Sequence, residues 1–111
     1  MQVMIVAWDL SHSAESPESL REYLREHAIA AFSELEGLRL KAWFSDAERQ
    51  MWGAVYLWDG PEYVDGCFSV SRSIERIGYP PTSVYMFDLE AVTEGKSVNE
   101  TLSGLGLALN G

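Results

Sequence analysis

The segment Leu38–Trp58, LRLKAWFSDAERQMWGAVYLW, constrains the fold more than any other part of the chain. Two apolar runs flank the polar turn DAER, which predicts a β-hairpin with a four-residue loop pairing Trp43 with Trp52 and Arg39 with Tyr56. Strand alternation then sorts the side chains onto two faces. Leu38, Leu40, Ala42 and Phe44 share one face with Met51, Gly53, Val55 and Leu57. The other holds Arg39, Lys41, Trp43 and Ser45 with Trp52, Ala54, Tyr56 and Trp58. A hairpin with one wetted face alternates apolar with polar residues. Here neither face suits water, so both need cover.

The remaining elements supply one cover. Residues 2 to 9, QVMIVAWD, read as a buried strand. Ser16, Pro17 and Glu18 form a helix start, with a hydroxyl cap, a proline at the first helical position and an acid at the positive end of the dipole. Leu20, Tyr23, Leu24, His27, Ala28, Ala31 and Leu35 then make an apolar stripe that Gly37 ends. A second helix is predicted from Pro61 to Gly78, on the spacing of Tyr63, Val64, Cys67, Val70, Ile74 and Ile77, and a fourth strand over Ser83–Val92. The order strand, helix, strand, strand, helix, strand folds by right-handed crossovers into an α+β, ferredoxin-like βαββαβ unit. Its four-stranded antiparallel sheet carries both helices on one face. The purely apolar hairpin face is expected beneath them, with Val3, Ile5 and Ala7. Met4, Val6 and Trp8 then join the tryptophan face, which needs cover from outside the chain.

A second subunit is the cheapest cover, so a homodimer is expected. Residues 1–96 form the domain. The glycine- and leucine-bearing tail, residues 97–111 with Val98, Leu102, Leu105, Leu107 and Leu109, reads as an arm packed on the dimer partner, or else as a frayed end. At 111 residues the chain has room for a single core, and no apolar run is long enough to span a bilayer. The first residues read as a strand rather than a leader, which makes the cytoplasm the expected compartment. Seventeen acidic residues against eight basic ones give a net charge of −9, which repels nucleic acid and anionic membranes. Cys67 is alone, so neither an internal disulfide nor a multi-thiolate zinc site is available; it reads as a buried thiol. With no paired metal-ligand spacing and no phosphate loop, no metal or nucleotide is implied.

The spacing of Gly37, Leu38, Lys41 and Trp43, then Gly53, Tyr56, Leu57 and Trp58, then Phe87 and Asp88 resembles the YdhR-like mono-oxygenases. They belong to the dimeric α/β-barrel superfamily that also holds the antibiotic-biosynthesis mono-oxygenases. The resemblance implies two ferredoxin-like units paired sheet to sheet, with a cavity in each subunit. It also implies cofactor-independent oxygenation of a small aromatic or quinol-like compound. The Asn, Trp and His set of haem-degrading relatives has no equivalent in this chain, which argues against haem.

Lys41 stands out among the candidate site residues. An ammonium among Trp43, Trp52 and Tyr56 suits a phenolate or enolate held by charge and by cation–π contacts. The alternatives are a lysine that snorkels to the rim or one that pairs with an acid across the dimer. Trp8, Trp43, Trp52, Tyr56 and Trp58 are the candidate lining of a flat aromatic pocket, with interface packing as the other reading. His12, in the loop DLSHSAES, is a candidate general base at the pocket mouth or else a solvated loop residue, since imidazole titrates near neutrality. His27 and Asp88 read as hydrogen-bonded structural residues, and Arg39 as a rim residue. The leading expectation is a cofactor-free mono-oxygenase. Its rivals are a non-catalytic small-molecule-binding or dimeric interaction protein, and a polyketide-type cyclase or isomerase using the same pocket.

Overall fold

The computed structural model describes residues 1–97 and 102–110. Four strands, β1 (Gln2–Asp9), β2 (Leu38–Asp46), β3 (Met51–Trp58) and β4 (Ser83–Asp88), form one sheet in the order β2-β3-β1-β4. Every neighbouring pair is antiparallel. The expected α+β, ferredoxin-like arrangement is the one found. Among the described residues no helix is long and apolar enough to cross a membrane.

The first helical segment runs as α1 (Pro17–Tyr23), a π-helical turn (Leu24–Ala28) and α2 (Ile29–Ser33). Ser16 caps it in a reciprocal capping box with Ser19, and Leu20, Tyr23, Leu24, Ala28 and Phe32 are buried. The second helix is not continuous, contrary to expectation. It divides into a 3-10 turn (Pro61–Tyr63), α3 (Gly66–Val70) and α4 (Ser73–Ile77). Ser71 takes an extended conformation, and its hydroxyl accepts from the Ser73 amide at 3.2 Å. The Arg72 amide donates to the Tyr23 hydroxyl at 2.8 Å. Side-chain acceptors thus replace the intrahelical bonds in this serine-rich stretch and break the helix. The fourth strand stops at Asp88 instead of continuing to Val92, after one further bond from the Leu89 amide to the Met1 carbonyl at 3.1 Å.

The hairpin register also differs from the expected one. Asp46 pairs with Met51, so the loop is Ala47–Gln50, with Gln50 in the left-handed region (φ 54°). Trp43 therefore lies opposite Ala54, and Lys41 lies opposite Tyr56. The two-residue shift preserves the faces from Leu40 onward, because side-chain parity repeats every second residue, whereas Leu38, expected on the aliphatic face, lies opposite Trp58 and packs against the core. A bulge between Leu38 and Leu40 expels Arg39, which pairs with Asp59 at 3.3 Å on the exposed rim.

The larger correction concerns which face the helices cover. They pack on the aromatic face: Met4, Val6, Trp8, Trp52, Ala54, Tyr56 and Trp58 are all buried there. The open face is the aliphatic one. Its cross-strand rows run Leu40–Leu57–Val3–Phe87, Ala42–Val55–Ile5–Tyr85 and Phe44–Gly53–Ala7–Ser83. The polar ends of two of these rings, Trp8 and Tyr56, find on that side the hydrogen-bond partners that buried rings need. Helix ends and loops supply them: Trp8 Nε1 donates to the Tyr79 carbonyl at 2.9 Å, and the Tyr56 hydroxyl accepts from Cys67 Sγ at 3.5 Å. A flat sheet face has few such groups to offer.

Gly53 is required by this arrangement. A Cβ there would strike the Val6 carbonyl oxygen and the Phe44 ring, which lies across the glycine from the neighbouring strand. Gly53→Ala should therefore destabilise the fold by about 1–3 kcal/mol in urea denaturation, the usual cost of overpacking. An unchanged midpoint would show that the Phe44 ring swings away and that the strand backbone shifts enough to clear the Val6 carbonyl at little cost.

Candidate functional site

Lys41 projects from edge strand β2 toward the helix layer, into an enclosure of aromatic rings. Its Nζ lies 3.3 Å from the ring centroid of Phe32, 4.3 Å from that of Tyr56 and 4.5 Å from that of Trp43. The pairing of Lys41 with Tyr56 fixes one wall, and Trp43, two residues along the same strand, makes another. Phe32 closes the enclosure from α2, edge-on to Trp43 (6.0 Å, 80°) and to Tyr56 (6.1 Å, 67°). Among the described residues no carboxylate lies within 4.0 Å of the amine. Burial pushes the Lys41 ammonium down to about 7, against a smaller upward pull from Cys67. The ring faces also favour the cation and oppose that fall. Near neutral pH the group therefore exchanges readily between amine and ammonium.

Tyr56 completes the polar part of the site. Its ionisation is pushed strongly upward, first by burial and then by Cys67, so the phenol keeps its proton across the physiological range. Trp58 stacks on it at 5.5 Å and 9°. The Trp58 Nε1 group is buried and has no hydrogen-bond partner among the described residues.

A cleft of about 850 Å³ opens beside Lys41. It lies between α2, the β2 edge and the C-terminal segment; Phe32, Lys41, Trp43 and Trp52 are among its lining residues, as are Leu105 and Ala108. The described part of the tail, including the short helix α5 (Leu107–Asn110), rests on the chain's own first helical segment. There the Ala108 carbonyl accepts from Arg25 Nη1 at 3.0 Å. Val98 lies outside the described residues.

The sequence-predicted site residues thus separate into groups. Lys41, Trp43 and Trp52 line the cleft, and Tyr56 touches it through the lysine. Trp8 and Trp58 are core residues that do not line it. His12 is exposed and borders a different hollow, of about 240 Å³, with Asp9, Tyr79 and Thr82. His27 sits against the helix layer, its Nε2 2.9 Å from the Val70 carbonyl and its ring stacked on Tyr23. Asp88 receives the Gln2 amide at 2.6 Å. Phe32 escaped the sequence reading although it stands four residues after Ala28 on the apolar stripe. That spacing was the available signal.

No family model matches the chain, and no curated protein does. Among solved structures it is similar to one named "putative Antibiotic biosynthesis monooxygenase" from Chloroflexus aurantiacus J-10-fl, at 14% identity and a TM-score of 0.54, over 85% of this chain and 96% of that one. A second, of the same name, from Deinococcus radiodurans, is 15% identical with a TM-score of 0.48, over 91% and 99% of the two chains. At this identity the likeness establishes the fold: this chain has the four-stranded antiparallel sheet and helix layer of the ferredoxin-like architecture.

Proposed function

We propose that the protein is a cofactor-independent mono-oxygenase of the YdhR-like kind, acting on a small aromatic or quinol-like compound in the cleft beside Lys41, and that it works as a homodimer. The observation that carries this reading is an amine with no carboxylate partner among the described residues, ringed by Phe32, Trp43 and Tyr56 and facing a cleft of ligand size. The name of the Chloroflexus neighbour points the same way. In this scheme the unprotonated amine takes the proton of a phenol, and the ammonium so formed pairs with the phenolate. The electron-rich phenolate then passes an electron to dioxygen, and the radical pair recombines to a ring peroxide. The peroxide takes up the proton held by Lys41 and, with the hydrogen on the same ring carbon, loses water, which leaves one oxygen on the ring as a quinone carbonyl. The aromatic walls lower the local dielectric and strengthen the ion pair. Support for the dimer comes from the open sheet face, where Leu40, Phe44, Tyr85 and Phe87 are between 39% and 55% exposed.

The test is oxygen uptake with a panel of hydroquinones, without added metal, flavin or nicotinamide. Uptake above the uncatalysed rate is expected, lowered about a hundredfold by Lys41→Met, the lower end of what a positioned base contributes. Ligand binding without uptake across the panel would leave a small-molecule-binding protein and refute the oxygenase.

A further inference from the structure

Only two lysines occur in the chain, Lys41 and Lys96. Lys96 is exposed, whereas Lys41 is enclosed by three aromatic rings at 3.3 to 4.5 Å and opens onto a cleft of about 850 Å³. Most lysine amines in proteins are poor nucleophiles because they carry a proton and a tight hydration shell. This enclosure replaces hydrating water with ring faces, supplies no carboxylate among the described residues to hold the charge, and leaves room for a flat molecule within reach. We propose that Lys41 Nζ is a carbonyl-trapping amine that forms an imine with aromatic aldehydes or ketones entering the cleft.

The step needs no co-reactant. The amine nitrogen attacks the carbonyl carbon, and a proton passes from nitrogen to the former carbonyl oxygen to give a carbinolamine. Loss of that hydroxyl as water leaves the C=N bond. The depressed ionisation of Lys41 supplies the unprotonated amine, about a thousandfold more abundant near neutral pH than in an ordinary exposed lysine. Phe32, Trp43 and Trp52, which line the cleft, offer faces on which the aromatic part of the adduct stacks. Trapping shares its site with the proposed oxygenase but not its chemistry. An enzyme that oxidises quinols without trapping aldehydes, or traps them without consuming oxygen, separates the two.

The experiment treats the full chain with 4-hydroxybenzaldehyde at pH 7 and reduces any imine with cyanoborohydride. Intact mass and peptide mapping then resolve Lys41, Lys96 and the N-terminal amine. The expected result is one adduct per chain, with Lys41 in at least tenfold excess over Lys96, in keeping with its larger unprotonated fraction. Lys41→Arg keeps a long cationic side chain and should lose that adduct while Lys96 labels as before. Label confined to Lys96 and the N-terminal amine in the wild-type chain would overturn the proposal, as would equal labelling of the two lysines.

Discussion

A single carboxylate at the centre of the open sheet face, Val55→Asp, is expected to turn the proposed dimer into a folded monomer. Val55 stands in the middle row, between Ala42 and Ile5, with Tyr85 beyond. The three rows named above carry no charged residue, while the chain as a whole carries −9. The next row on this face, Asp46–Met51–Asp9, puts two aspartates at its hairpin end. An apolar centre with acids at its rim, on so acidic a protein, is suited to a second copy of itself, because apolar faces can meet while like charges stay at the rim. Burying one unpaired carboxylate costs several kcal/mol, and a two-fold interface would bury two. About 4 kcal/mol already raises the dissociation constant roughly a thousandfold. Val55 faces away from the helix layer, so circular dichroism should be unchanged while sedimentation velocity reports half the mass. Wild-type protein that sediments as a monomer at micromolar concentration would refute the homodimer outright.

The need for cover on a second face was legible in the sequence; the identity of that face was not. Alternation along Met51–Trp58 shows that two sets of side chains exist, and turn residues place the four strands. Nothing in the alternation says on which side the crossovers lay their helices. Taking aliphatic residues for the interior and tryptophans for the outside inverted the sheet. The discriminating fact is three-dimensional: Trp8 Nε1 and the Tyr56 hydroxyl reach the Tyr79 carbonyl and Cys67, groups more than ten residues away on the helix side. The register error was smaller and harmless to the faces. Gln50 enters the left-handed region and shifts the four-residue loop by one position past DAER, which a glutamine does not advertise. Lys41 and Trp43 were legible as neighbours because strand geometry sets residues two apart on one face. Phe32 was legible only as part of a stripe. Its place over the amine depends on how α2 crosses the sheet.

The Lys41 site has a thermodynamic signature that requires no substrate. Burial lowers the folded-state value of Lys41 from 10.5 to about 7, so between those limits the unfolded chain binds a proton that the folded chain has released. Stability must then rise with pH across the window; below pH 7 both states are protonated and the contribution is flat. Integrated from pH 7 to 9, the rise is about 2 kcal/mol. The titratable groups facing the amine are Tyr56 and Cys67, and both remain in Lys41→Met, so subtracting one urea titration series from the other isolates the lysine. Methionine fills the same enclosure with an unbranched apolar chain and removes the charge. The variant should be the more stable protein at pH 7, with an advantage that shrinks by about 2 kcal/mol on reaching pH 9. A constant difference between the two proteins would mean that the amine keeps its proton among the rings. Lys41 could then still pair with a phenolate as a fixed cation, but it could neither take the phenolic proton nor attack a carbonyl.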